Sequence, residues 1–230
     1  MAYDPNFGNY VSSISSIKLQ TIRWLKQSFG PLTIIFTDIN NDINLPSLVV
    51  IPDFNNASYM NATDIVTSME HHLAKKYNKI YIIDWCGINN TLKERFDDIK
   101  TDDDMITLGL RYARYLDLIF VNKYKMNNIH LLADSYGSMV ATYMLHINPI
   151  YKGLFLSSPY IPSDVHSIKQ LGDKLKNIKF RLAWNIDNNM IDMKDSYDNM
   201  IGRKIDYKSR YYPPGFMNSI HPDFILDIIN

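Results

Sequence analysis

The residues with the clearest chemical potential lie in one stretch, where an apolar run ends abruptly at a serine. Residues 129–133 are mainly apolar and predict a strand, and a helical pattern begins at Ser138 with no loop between the two. A strand that turns directly into a helix across one serine is the geometry of a nucleophile elbow, in which the hydroxyl is exposed on a strained turn. Ala133 and Gly137 flank Ser135 at the two positions where the strand and the helix must approach closely.

The five residues from Asp134 to Ser138 resemble the elbow of α/β-hydrolase esterases, lipases and serine peptidases, some of which carry alanine at the first small position. The resemblance implies that Ser135 is a nucleophile and that the chain has the α/β-hydrolase fold. The alternative interpretation is the strand-to-helix turn of a Rossmann-like sheet that contains an ordinary serine.

A serine hydroxyl is a weak nucleophile, so it needs a neighbouring base and a third group that orients this base. The resemblance implies the chain order serine, acid, histidine. Beyond the elbow helix the histidines are His166, within a short predicted helix, and His221, after the last predicted strand. The family places its base where His221 stands, so His221 is assigned this role. The alternative is a histidine at the surface.

For the acid, the resemblance points to the loop after the family's seventh strand, which usually reads Gly-x-x-Asp. Asp187 lies one place early in this loop and Asn188 stands in register, with Asp192 and Asp195 close behind. We choose Asp187 and keep Asp192 as the second candidate, because an asparagine in the orienting role would favour the wrong histidine tautomer.

Pro52, Asp53 and Phe54 follow the predicted strand 47–51, at the position where the family usually carries a His-Gly pair. The resemblance implies an oxyanion hole built from the backbone N–H groups of Phe54 and Tyr136. An amide donor does not depend on its own side chain, but a carboxylate at Asp53 would repel the oxyanion unless it points away. The alternative is a plain turn at a strand end, where proline and aspartate are common.

Composition narrows the classes of function. The chain has 230 residues, 46% of them hydrophobic and 21% charged, which predicts one domain over residues 1–230. The formal net charge is zero, which argues against a nucleic-acid partner. A single cysteine, Cys86, precludes an intramolecular disulfide and suits a reducing compartment. With no signal-peptide pattern and no apolar run of about 18 residues, we expect a cytoplasmic protein without a transmembrane segment. The oligomeric state stays open.

Strand and helix patterns alternate along the chain with short links. They predict the α/β fold class, with a mostly parallel central sheet, helices on both faces and a minimal or absent cap domain. A loose helical periodicity predicts a helix over 11–29, and the short link between strands 33–36 and 47–51 predicts antiparallel neighbours. The other predicted strands are 79–85, 129–133, 151–159, 178–184 and 204–212.

Three further groups of residues have side chains that could bind a metal or react, but their sequence patterns favour structural roles. His71 and His72 are adjacent on a predicted helix and point about 100° apart, so we expect them to face solvent rather than share a metal ion. The acidic residues 102–104 directly precede a helical pattern, and acids are favoured in a first helical turn. Cys86 has no partner at catalytic spacing and is interpreted as a packed residue. No metal or cofactor is implied.

The sequence therefore predicts a serine hydrolase that cleaves an ester or related acyl bond of a small molecule through an acyl-enzyme, with Ser135, His221 and Asp187 as the triad. Two alternatives stay open. One is a serine peptidase of the same fold, and the other is a binding or structural protein that has kept the fold without the catalysis.

Overall fold

The computed structural model of the chain describes residues 24–29, 32–54, 58–85, 101–157, 159, 173–185, 208–212 and 222–230. These residues build one eight-stranded sheet in the order β1-β2-β4-β3-β5-β6-β7-β8. The strands are β1 (Leu25–Phe29), β2 (Leu32–Asp38), β3 (Ser47–Ile51), β4 (Lys79–Asp84), β5 (Ile129–Asp134), β6 (Tyr151–Ser157), β7 (Lys179–Asn185) and β8 (Lys208–Tyr212).

The sheet is mostly parallel, as the sequence predicts. Strands β4, β3, β5, β6, β7 and β8 run parallel to one another, and only the pairs β1–β2 and β2–β4 are antiparallel. Because parallel neighbours end at the same edge, the chain leaves β3, β5, β6, β7 and β8 at one carboxyl edge, where ligands bind in open α/β sheets.

Helices cover both faces of the sheet, which confirms the predicted layers. The helices with both ends in the described residues are α1 (Ser58–Ser68), α2 (Glu70–Leu73), α3 (Asp102–Leu118, continued by a π-helical turn, Ile119–Lys123), α4 (Tyr136–Ile147) and α5 (Pro222–Ile229). Alternate residues of each strand point to opposite faces. Leu131 and Ala133 join the core with α3 and α4, whereas Leu132 joins the core with α1, α2 and α5.

Two predictions about the amino-terminal part of the sheet are wrong. Residues 25–29 form β1 rather than the end of a helix, because they pair residue for residue with β2, from Leu25 with Phe36 to Phe29 with Leu32. The rest of that predicted helix, residues 11–23, lies outside the described residues. Strands β2 and β3 are not neighbours, because β4 lies between them, antiparallel to β2 and parallel to β3.

The first turn of α3 accounts for the acidic cluster. The Thr101 side chain accepts a hydrogen bond from the Asp104 backbone N–H at 3.2 Å, and the Asp104 carboxylate accepts one from the Thr101 N–H at 3.1 Å. This reciprocal capping box confirms that the acids begin a helix. His71 and His72 are both exposed, as expected. In the part of the chain that the structure describes, no helix is long and apolar enough to cross a membrane.

Candidate active site

Ser135 stands at a sharp turn between β5 and α4. Strand β5 ends at Asp134 and α4 begins at Tyr136, and the backbone of Ser135 between them has φ 48° and ψ −123°. A positive φ is uncommon for a residue with a side chain and places this residue outside the regular helix and strand regions. Such strain costs about 1–3 kcal/mol and persists only where the surrounding structure holds it in place. The predicted strand–serine–helix turn is therefore present.

Close packing between α4 and the end of β3 holds this turn. A Cβ atom at Gly137 would overlap the carbonyl oxygen of Ile51 and would lie 2.7 Å from that of Pro52. Only glycine allows the first turn of α4 to rest against this backbone. Ala133 is completely buried below it. The glycine at position 137 is thus explained by steric contact, and Ala133 by its complete burial.

The turn from Pro52 to Phe54, which follows β3, consequently lies beside the elbow. The Pro52 carbonyl accepts a hydrogen bond from the buried Trp85 indole N–H at 2.9 Å. The Phe54 ring packs edge-on against Trp85, with centroids 4.7 Å apart, and lies nearly parallel to the Tyr136 ring at 6.0 Å. The two residues predicted to supply oxyanion donors, Phe54 and Tyr136, are therefore in contact through their side chains.

The backbone N–H of Phe54 is engaged by the residue before it. It donates a hydrogen bond to the Asp53 Oδ1 atom, with an N···O distance of 2.9 Å. An open oxyanion hole would require the Asp53 carboxylate to point away from the oxyanion position. The structure instead turns this carboxylate onto the donor itself.

Asp134, to which the sequence analysis gave no role, lies directly before the serine and is only 3% exposed. Burial raises the pKa of this carboxyl to about 7, and repulsion from Asp53 adds to the shift. Hydrogen bonds from the Ser157 side chain and the Ser135 backbone oppose the shift. The available sequence signal was an acid at the end of a mainly apolar strand, because the residues of such a strand are usually buried on both faces of a parallel sheet.

The remaining predicted site residues, Asp187, His221 and the second candidate Asp192, lie outside the described residues, as does His166. Their neighbours in the chain are placed. Strand β7 ends at Asn185, two residues before Asp187, and α5 begins at Pro222, directly after His221. Ile225 of α5 is fully buried in the core with α1 and α2.

Comparisons with known proteins identify the fold. No protein-family model and no curated protein sequence matches the chain. Among solved structures, it is similar to a protein described as a predicted CIB-like hydrolase from Thermoplasma acidophilum, at a TM-score of 0.61 and 12% identity over 90% of this chain and 96% of that one. A sugar hydrolase from Lactococcus lactis has a TM-score of 0.60 and 11% identity over 88% and 90% of the two chains. A ferulic acid esterase has a TM-score of 0.58 and 11% identity over 90% and 94%. The chain has the α/β-hydrolase fold.

The contact at Gly137 predicts a strong effect of one methyl group. We expect Gly137→Ala to lower the free energy of unfolding by about 1–3 kcal/mol, because the added carbon meets backbone atoms that cannot turn aside. The adjacent Ser138→Ala is the control. The Ser138 hydroxyl is fully buried and has no hydrogen-bond partner among the described residues, so its removal is expected to be neutral or slightly stabilising. Urea denaturation measures both, and equal stability of the two variants would contradict the assigned contact.

The raised pKa of Asp134 predicts a dependence of stability on pH. The folded protein holds this proton more tightly than the unfolded chain, in which the pKa has its ordinary value of 3.8. The contribution of Asp134 to the free energy of unfolding therefore falls as pH rises from about 4 to about 7, by at most about 4 kcal/mol.

Asp134→Asn should remove this loss. We expect the variant to gain stability relative to wild type between pH 4.5 and 7.5 in urea denaturation, with little further change at higher pH. A difference between the two proteins that stays constant across this range would show that Asp134 titrates normally in the folded state.

Proposed function

We propose that the protein is a serine hydrolase that cleaves an ester or related acyl bond with Ser135 as its nucleophile. One observation carries the proposal, namely the strained backbone of Ser135 at the turn between β5 and α4. An ordinary serine in a strand-to-helix turn has no need of this conformation, whereas a nucleophile needs it to expose its hydroxyl above the sheet. Strained backbone of this kind is concentrated at active sites, where the surrounding structure holds it.

In the proposed reaction the Ser135 oxygen attacks the acyl carbonyl while His221 takes the hydroxyl proton. The leaving alcohol departs with that proton, and an acyl-enzyme remains on Ser135. Water, deprotonated by His221, then releases the acid and restores the serine. Asp187 holds the imidazole in the required tautomer, and the Phe54 and Tyr136 backbone amides stabilise the two oxyanions.

The topology supports this choice of partners. Strands β7 and β8 are parallel to β6, which is parallel to β5, so the chain leaves both strands at the edge where Ser135 stands. The first residues after β7 include Asp187, and His221 lies between β8 and α5. Side chains that converge at the carboxyl edge from separate strands are the usual way in which an α/β sheet assembles a site.

The similar structures support an ester as the substrate class, because the proteins with this fold include one described as a ferulic acid esterase. One observation favours a second candidate, a binding protein without catalysis. The hydrogen bond between the Phe54 N–H and Asp53 occupies a donor that catalysis would need. The two candidates differ in whether Ser135 reacts with an electrophile.

Removal of the nucleophile or of the base tests the proposal. Wild type should react with a fluorophosphonate probe and hydrolyse p-nitrophenyl esters, whereas Ser135→Ala and His221→Ala should lose labelling and as much as about 10⁶-fold in kcat. Ser138→Ala, which alters the other serine of the elbow, should keep both. No labelling of folded wild type, or equal labelling of Ser135→Ala, would favour the binding protein.

A pair of substitutions tests the choice of acid. Asp187→Asn should lower kcat by about 10⁴-fold, because the amide stabilises the wrong imidazole tautomer, and Asp192→Asn should change it little. Both variants replace a carboxylate by an amide of the same size, so each is the matched control of the other. The reverse result in p-nitrophenyl acetate kinetics would transfer the orienting role to Asp192.

A further inference from the structure

We propose that the Asp53 carboxylate closes the oxyanion hole of the resting protein by occupying the Phe54 backbone N–H, and that it must turn away before Ser135 can react efficiently. This inference rests on the proposed function and adds a residue that controls the rate. Asp53 would be a positioning residue, because it acts on the donor and not on the substrate.

The contact is local and leaves the donor in place. The Phe54 N–H and the Asp53 Oδ1 atom are 2.9 Å apart, and Asp53 is half-buried. The backbone on either side is held firmly, since the Pro52 carbonyl is hydrogen-bonded by Trp85 and the Phe54 ring packs against Trp85 and Tyr136. A rotation of the Asp53 side chain would therefore free the amide without a movement of the surrounding backbone.

The amide cannot serve both acceptors. It has one proton, and a carboxylate and an oxyanion that compete for it would also repel each other as like charges. Loss of one oxyanion donor typically lowers kcat by about 10²–10³-fold. With Phe54 engaged, the Tyr136 amide would be the remaining donor of the proposed pair, so wild type should be slower than the elbow alone would allow.

Three variants separate occupation of the donor from repulsion by charge. Asp53→Ala removes the carboxylate and frees the amide. Asp53→Asn keeps an oxygen that can accept the same hydrogen bond but removes the charge. Asp42→Ala is the matched control, because the Asp42 carboxylate also accepts a backbone hydrogen bond at 2.9 Å, from Asn44, but lies before the start of β3 at the opposite edge of the sheet.

We expect Asp53→Ala to raise kcat for p-nitrophenyl acetate at least tenfold with little change in KM, because the freed donor acts on the transition state. Asp53→Asn should give a smaller increase, and Asp42→Ala should stay within about twofold of wild type. The rate of fluorophosphonate labelling should rise in the same order. In the Asp53→Ala and Ser135→Ala double variant the gain should vanish. A merely structural role of Asp53 would not raise kcat.

The outcomes distinguish this inference from the proposed function. If wild type shows Ser135-dependent turnover and the folded Asp53→Ala variant is no faster, the inference is wrong and the proposed function stands. If wild type is inert but Asp53→Ala reacts at Ser135, the inference is supported and the proposed function of wild type is contradicted. If neither folded protein reacts at Ser135, the proposed function fails and the inference fails with it.

Discussion

The close approach of α4 to the end of β3 is the constraint on which the candidate site depends. Gly137 lies directly against the carbonyl groups of Ile51 and Pro52, so the first turn of α4 and the turn after β3 form one packed unit. That contact fixes Ser135 in its strained conformation and brings the Pro52–Phe54 turn beside it. The proposed nucleophile and the proposed oxyanion donors are therefore positioned by backbone packing, and the hydrogen bond from the Trp85 indole to the Pro52 carbonyl also holds the turn after β3.

The sequence predicted those features that a few neighbouring residues determine. The elbow follows from an apolar run, two small residues and a helical pattern, all within residues 129–146, and the structure has the turn there. The start of α3 likewise follows from Thr101 and its acidic neighbours. Strands β3 to β7 contain enough apolar or β-branched residues to be recognised from their own composition.

Local sequence patterns did not predict which strands pair with one another in the sheet. The stretch that forms β1 has a loose helical periodicity, but residues 25–29 lie at the edge of the sheet and gain backbone hydrogen bonds from β2 that no local pattern records. The position of β4 between β2 and β3 could not be predicted for the same reason. The short link between β2 and β3 does not show that a later strand, β4, lies between them in the sheet. The burial of Asp134 depends on several elements at once, and residue types alone do not determine the Asp53 side-chain rotamer, so the sequence could name Asp53 but not its contact.

Two carboxyl groups near the elbow, those of Asp134 and Asp53, could repel an oxyanion. Asp134 lies under the serine, but burial raises its pKa to about 7, so near neutral pH much of this carboxyl is uncharged. Asp53 accepts the hydrogen bond of the Phe54 amide, which the proposed reaction would direct at the oxyanion. At an effective dielectric constant of about 20, two unit charges about 4 Å apart repel by about 4 kcal/mol, which corresponds to about 10³-fold in rate. The Asp53 carboxylate is thus the larger obstacle.

The strained backbone of Ser135 favours catalysis, whereas the hydrogen bond from the Phe54 N–H to Asp53 opposes it. The Ser135 conformation is a property of the backbone, held by Gly137 and by the meeting of two core elements, and it cannot be gained by a single side-chain rotation. The hydrogen bond from the Phe54 N–H to Asp53 has a charged acceptor, and a bond of this kind contributes about 1.5–3 kcal/mol. The strained turn therefore supports the proposed hydrolase, and the hydrogen bond from the Phe54 N–H to Asp53 supports the proposal that this carboxylate limits its rate.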